Sequence, residues 1–340
     1  MSDETRAILV GERLDAIRRL LDDRGAPAAL LTARRNFAWA TAGGENHVVL
    51  SSETGVAGIL VTPTDASVLA AVNEAPRIAD EELVGLGLEI HALPWHDDAA
   101  MEREAQRLAG GPPLDDAALE DALEPMRCLL SEMEATRMTA IARSATTAAT
   151  AAVAAVHPGA RELEVAATAM ASLAGQGIRA PVLLAAADDR ISRYRHPLPG
   201  ERRVEHRLML VIVAERWGLH VAVTRFAELR PPDADLSARM AATEQVHAAM
   251  IEATRAGSTL GDVFRAAQAA YADVGHPDEW RLHHQGGIIG YQGRERIAVP
   301  GDPTVIRAGM AFAWNPSVAG AKAEETMLLA DDGPRFLTRG

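Results

Sequence analysis

The run Gly110-Gly111-Pro112-Pro113 constrains this chain more than any other feature, because neither a helix nor a paired strand is expected to cross it. Proline lacks a backbone donor and glycine is costly to order, so four such residues read as a break. At 340 residues the chain also exceeds what one ordinary core organises. Two domains are expected, at 1–125 and 126–340.

Hydrophobic spacing gives each half a different character. In the first half, Leu14, Ile17, Leu20 and Leu21 recur at helical intervals over 12–24. Short apolar runs at 28–31, 58–61, 66–71 and 88–93, bounded by glycine, proline or polar residues, predict strands. Residues 98–108 predict another helix, and the half reads as a small α/β domain. The second half begins with alanine-rich helices over 131–156 and 161–175, separated by His157-Pro158-Gly159. Strands follow at 208–214 and 219–229 across a turn near Trp217-Gly218. Helices at 237–256 and 260–274 and strands at 309–313 and 325–329 complete an α+β layer pattern. A distant duplication of helix, helix, strand, strand fits this order.

Composition narrows the partners. Aromatic residues make up only 4% of the chain, so alanine, valine and leucine must fill its cores. A formal net charge of −13 opposes phosphate backbones and anionic lipid, so neither nucleic acid nor membrane is an expected partner. The single cysteine, Cys128, cannot form an internal disulfide, which fits a reducing cytoplasm. The N-terminal residues lack the pattern of a signal peptide, and no apolar run is long enough to span a bilayer.

Six landmarks in the second half then fall in a recognisable order. Pro158-Gly159 with Glu162 and Glu164-Val165-Ala166 resembles a "PG.TE.E.A" segment, and Arg195-His196-Pro197 carries a histidine where one lies near substrate. Val223-Thr224-Arg225 resembles the end of a "DLTR" hairpin, and His283-His284-Gln285-Gly286-Gly287-Ile288-Ile289-Gly290 resembles "HH.GHGIG". Gly309-Met310-Ala311-Phe312 before Asn315-Pro316 is similar to "GM.F..EP", and Glu324-Glu325-Thr326 to "EDT". Together they resemble the pita-bread superfamily of creatinase, aminopeptidase P and prolidase. Asn36-Phe37-Ala38-Trp39 matches a motif of the accessory domain in the creatinase branch. The resemblance implies a creatinase-type N-terminal α/β domain followed by a C-terminal pita-bread domain.

It also implies two metal ions held by two aspartates, a histidine and two glutamates. Those positions fall on Val211, Ala222, Gly287, Asn315 and Glu324, so only the last remains acidic. Hydrocarbon side chains and a hydrogen atom offer no lone pair, and one carboxylate cannot neutralise two divalent cations. No metal and no other cofactor is expected.

The remaining chemistry is assigned residue by residue. His196 titrates near neutrality and is the expected acid–base group. Glu324 is expected to resist ionisation on a largely apolar floor, acting as an acid or holding a cationic substrate group. Asn315 offers a neutral donor and acceptor to a substrate carbonyl or carboxylate, and Arg294 a bidentate grip on a carboxylate. Of His283 and His284, adjacent on an extended segment, only one should enter the cavity, with His284 preferred. Gly287 would let backbone amides approach a ligand, and Tyr194 and Arg195 complete the expected contacts.

The function expected from these residues is a metal-independent, creatinase-like or aminopeptidase P-like enzyme. It would hydrolyse, or eliminate across, a C–N bond of a small polar nitrogen-containing metabolite. The alternatives are a non-catalytic binding protein on the same fold, and an Xaa-Pro-type aminopeptidase whose atypical metal site uses His196, His283, His284 and Glu324. The creatinase branch further implies a homodimer in which Asn46-His47, or Ser51-Ser52-Glu53, reaches a neighbouring subunit's site.

Overall fold

The computed structural model describes residues 3–339, and the chain divides into two compact units between Arg127 and Cys128. The break thus lies ahead of the boundary. The residues that follow it, which carried no sequence prediction, form a helix that closes the first unit.

That first unit comprises α1 (Asp3–Arg24), β1 (Ala29–Ala33), α2 (Arg34–Ala40), β2 (Thr54–Val61), β3 (Ala66–Ala71), α3 (Ala75–Arg77), β4 (Glu89–Leu93), α4 (Ala100–Ala109) and α5 (Asp116–Arg127). Val10, Leu14, Ile17 and Leu21 lie on one stripe of α1 and are all buried, as helical spacing demands. The sheet runs β1-β2-β3-β4, antiparallel except for the parallel pair β3–β4. Val68, Leu69 and Ala70 on β3 are fully buried, because that central strand is covered on both faces. Asn36 in α2 donates to Asp116 (2.7 Å) and accepts from Arg127 (2.5 Å), so the accessory-domain motif serves as an internal brace. Asn46 is also spent internally, donating to the carbonyls of Thr32 and Ala57. Its side chain is therefore buried inside the first unit and not presented at the surface.

The second unit repeats one arrangement twice. Its first half has α6 (Glu132–Ala154) and α7 (Glu162–Ala174), then β5 (Arg179–Ala187), α8 (Asp189–Arg193), β6 (Arg207–Arg216) and β7 (Leu219–Glu228). Its second half has α9 (Ala234–Ala253) and α10 (Leu260–Asp273), then β8 (Gly286–Ile289), β9 (Arg296–Ile297), β10 (Ala311–Trp314), β11 (Ser317–Val318), β12 (Ala321–Lys322), β13 (Glu325–Ala330) and β14 (Gly333–Phe336). Strands β5-β6-β7 form one antiparallel sheet and β14-β13-β10-β8-β9 another. β5 escaped the sequence reading because Pro181 interrupts it, and the register with β6 shifts between Arg179 and Val182. The β6–β7 turn holds both Trp217 (φ 56°) and Gly218 (φ 76°) left-handed, the requirement of a two-residue hairpin.

β7 and the segment leading into β13 lock the two sheets together. The Ala222 N–H donates to Thr326 Oγ1 (2.8 Å), whose hydroxyl donates back to the Ala222 carbonyl (2.8 Å). The Thr224 N–H donates to the Glu324 carbonyl. Tyr271, Phe312, Trp314 and Met327 pack in the core of the second half, and Cys128 is buried among them. No helix among the described residues is long and apolar enough to cross a membrane.

Candidate functional site

A cavity of about 280 Å³ opens where the two halves of the second unit meet. Val182 and Leu184 of β5 and Val211 and Val213 of β6 supply one wall. They share a face because alternate strand residues point the same way. The other side is polar, with His196, His284, Arg294, Asn315, Lys322 and Glu324.

Glu324 is the electrostatic centre. Its carboxylate accepts from Lys322 Nζ (3.0 Å), Arg294 Nη2 (3.1 Å) and Thr224 Oγ1 (2.6 Å). Burial by itself would raise its pKa, but the two cations and the hydroxyl prevail and lower it to about 2. The expectation of a hard-to-ionise acid is therefore overturned: a permanently charged carboxylate between two cations cannot donate a proton near neutrality. Two cations against one anion also leave a positive excess. Arg294, expected to grip a carboxylate, lies inside the site, its side chain only 13% exposed.

Three histidines gather at the mouth. His196 follows α8 and is solvent-accessible, and its Nε2 lies 3.0 Å from Nε2 of His283. His283 and His284 occupy an irregular bend before β8, so the alternation of an extended strand does not apply. Their rings stack at 4.3 Å and 25°, and both neighbour His196. His284 lines the cavity itself, whereas His283 lies behind His196 against Tyr194 and Arg195. Burial and nearby positive charge lower His283 to about 3 and His284 to about 4. His196 is lowered too, by burial and by Lys322.

Some polar atoms at this site have no partner. Asn315 is 2% exposed, yet its Oδ1 accepts nothing, and Arg294 Nε and His283 Nδ1 donate to nothing. Buried atoms of this kind ordinarily find a hydrogen bond, so the site is unsaturated as it stands.

Three expected contacts fall elsewhere. Arg195 is tied in an ion pair with Glu279 and donates to Ser317 Oγ (2.9 Å), a structural brace. Tyr194 is exposed and lies against the guanidinium groups of Arg190 and Arg193. Gly287 is enclosed in the sheet, opposite Ala313 on one side and Ile297 on the other, and does not line the cavity.

Glu162 was read only as part of a motif, yet it shapes the site. From α7 it accepts the N–H of Ala187 (2.7 Å) and of Gly200 (2.9 Å) and pairs with Arg190. It thereby clasps both ends of the segment bearing His196. Lys322, not among the expected site residues, also lines the cavity and pairs with Glu324.

The five positions that the resemblance assigns to metal ligands do not fit a pair of divalent cations. Val211 is hydrocarbon packed near Leu184, and the Ala222 backbone is bound in both directions by Thr326. A Cβ at residue 287 would stand 2.0 Å from the Arg296 carbonyl oxygen, so this backbone has no room for an imidazole there. Glu324 has already committed its charge to Lys322 and Arg294.

Comparison with known proteins supplies the family. Residues 136–331 match the model of metallopeptidase family M24. The chain is 30% identical over 122 residues to a probable dipeptidase PepE of Mycobacterium bovis, a match spanning 34% of this chain and 32% of that relative. The crystal structure of dipeptidase PepE from Mycobacterium ulcerans superposes with a TM-score of 0.79 at 17% identity, covering 98% of this chain and 96% of the other. The prolidase from Pyrococcus horikoshii gives the same TM-score at 19% identity, covering 96% and 98%. These two likenesses show the pita-bread fold. Because the family match takes in more than half of the chain, including both walls of the cavity, the protein belongs to metallopeptidase family M24.

Proposed function

We propose that the protein is a hydrolase that cleaves a C–N bond in a small carboxylate-bearing nitrogen compound, without the paired metals of its family. The names of its relatives, dipeptidase and prolidase, support peptidase-type hydrolysis. One observation carries the rest of the reading. A single cavity unites a solvent-accessible imidazole, a positive excess at Arg294 and Lys322, and the unpartnered Oδ1 of Asn315.

In this reading the free Nε–H of Arg294 and the ammonium of Lys322 draw the substrate's carboxylate inward, and Asn315 accepts from its nitrogen. The valine and leucine wall excludes water from the opposite side and takes an aliphatic substituent. His196 removes a proton from an attacking water as the C–O bond forms, then returns that proton to the departing nitrogen as the C–N bond breaks. Glu324 keeps the two cations in place. It takes no part in proton transfer.

The test is turnover by untagged protein in EDTA, with N-acyl amino acids and amidino acids as substrates. The expected result is chelator-resistant hydrolysis that falls roughly 10²–10⁴-fold in His196→Ala. Strict dependence on added metal would overturn the proposal.

A further inference from the structure

We propose that His196, His283 and His284 form a site for one transition-metal ion of the zinc class, separate from the family's metal-pair positions. Two segments distant in sequence bring the three rings together. One ligand nitrogen from each residue lies within 4.8 Å of the other two. The tightest approach, Nε2 to Nε2 of His196 and His283, is 3.0 Å. Two imidazole nitrogens each about 2.0–2.1 Å from one zinc ion stand roughly 3.0–3.4 Å apart when their angle at the metal is near tetrahedral. The observed spacing, which also suits a single N–H···N hydrogen bond, lies at the short end of that range.

The ring orientations are compatible with convergence on one ion. His283 and His284 are inclined at 25°, but His196 meets His283 at 61°, turning an edge nitrogen toward its neighbour. Two neutral imidazoles facing each other through Nε2 can share only one proton; an ion between them takes both lone pairs. His284 supplies the third ring, and its Nδ1 accepts a long contact from the Gly286 N–H at 3.3 Å. Asn315, whose Oδ1 lacks a partner, lines the same cavity as His196 and His284 and is the candidate fourth ligand.

The ligand set selects the kind of ion, and the positive surroundings mean that imidazole lone pairs must carry the affinity. Lys322 and Arg294 outnumber Glu324, and that carboxylate is engaged by both. Hard cations such as Mn²⁺ and Mg²⁺ need anionic oxygen that the triad does not offer, whereas Zn²⁺, Co²⁺ and Cu²⁺ accept neutral imidazole. One functional consequence follows, and it alone rests on the preceding proposal. An ion on the triad occupies the lone pair His196 needs for proton transfer, so occupancy would inhibit hydrolysis.

Chelator-stripped, untagged full-length protein titrated calorimetrically with Zn²⁺, and spectroscopically with Co²⁺, tests the site. The expected result is one ion per chain, visible cobalt bands of a four-coordinate centre, and no comparable binding of Mn²⁺. His196→Ala and His283→Ala should each weaken binding at least about tenfold, since even the loss of a group that only orients a ligand costs that much. His206→Ala, an exposed histidine outside the triad, should leave it unchanged. Thermal melts of the two variants confirm that they fold. Absence of a stoichiometric zinc site, or one that neither variant weakens, overturns the inference. A triad that binds zinc in a protein whose turnover requires that zinc would uphold the site and remove the metal-independent mechanism instead.

Discussion

From its first half, the second unit gives the cavity Val182, Leu184, Val211 and Val213; from its second half come His284, Arg294, Asn315, Lys322 and Glu324. The two halves share the same helix, helix and antiparallel-strand layout, yet the first adds only the imidazole of His196 to its hydrocarbon wall while the second supplies the charge. Architecture therefore fixes where side chains point but leaves their chemistry free. The halves also depend on each other. The hydrocarbon wall lowers the local dielectric, which strengthens attraction among Lys322, Arg294 and Glu324 and makes an unpaired member costly.

The sharpest way to break this comparison is to unbalance the charged side. Glu324→Gln strands two cations beside an apolar wall and should cost about 3–5 kcal/mol, measured by urea unfolding at neutral pH. A loss below about 1 kcal/mol would mean that the wall does not isolate the charges. Next comes Gly287→Ala, which drives a methyl group into the Arg296 carbonyl of the neighbouring strand. Because backbone meets backbone, no rotamer relieves the clash, and a cost of about 3 kcal/mol is expected from the same unfolding curves.

Acid should probe the second half selectively through His247 on α9, which is 2% exposed and held at about 4 by burial and by Arg339. Below its unfolded value of about 6.5 the unfolded chain takes up a proton that the fold refuses. Its contribution is complete above that pH and is lost as pH falls toward 4. The loss should be on the order of 2–3 kcal/mol between pH 7 and pH 4. His247→Leu should flatten that part of the profile by a comparable amount.

Helix caps give the smallest contrast. Thr259 caps α10, its hydroxyl accepting the Asp262 N–H (3.1 Å), so Thr259→Ala should cost about 1 kcal/mol. Arg161 occupies the matching position before α7 without a side-chain cap. Its ion pairs with Glu164 and Glu201 are exposed, and Arg161→Ala should cost under about 0.5 kcal/mol.

Long-period patterns were legible in the sequence. Helices at α6, α7, α9 and α10 and the β6–β7 hairpin follow from apolar spacing and turn chemistry within a few residues. β5 was not, because Pro181 masks a strand that the sheet tolerates at an irregular register. At the site, His196, His284, Arg294, Asn315 and Glu324 were named from sequence and do line one cavity. Their charge states were not readable, since the ionisation of Glu324 depends on Lys322 and Arg294 arriving from separate elements. The grouping of His196 with His283 and His284 was named only within the alternative of an atypical metal site, and its geometry was not readable across the 87 residues that separate His196 from His283. Arg195 and Tyr194 misled because nearness in sequence to His196 does not bring them into its cavity: Arg195 is held by Glu279, and Tyr194 lies against Arg193.

The packing at residue 287 has a consequence for design. With β9 drawn against that glycine, an imidazole could not be introduced there by substitution alone. The strand carrying Arg296 would have to draw back before such a ring could fit. At this position the obstacle to a nitrogen ligand is thus the neighbouring backbone as well as the missing side chain, and an engineered centre would need β9 rebuilt first.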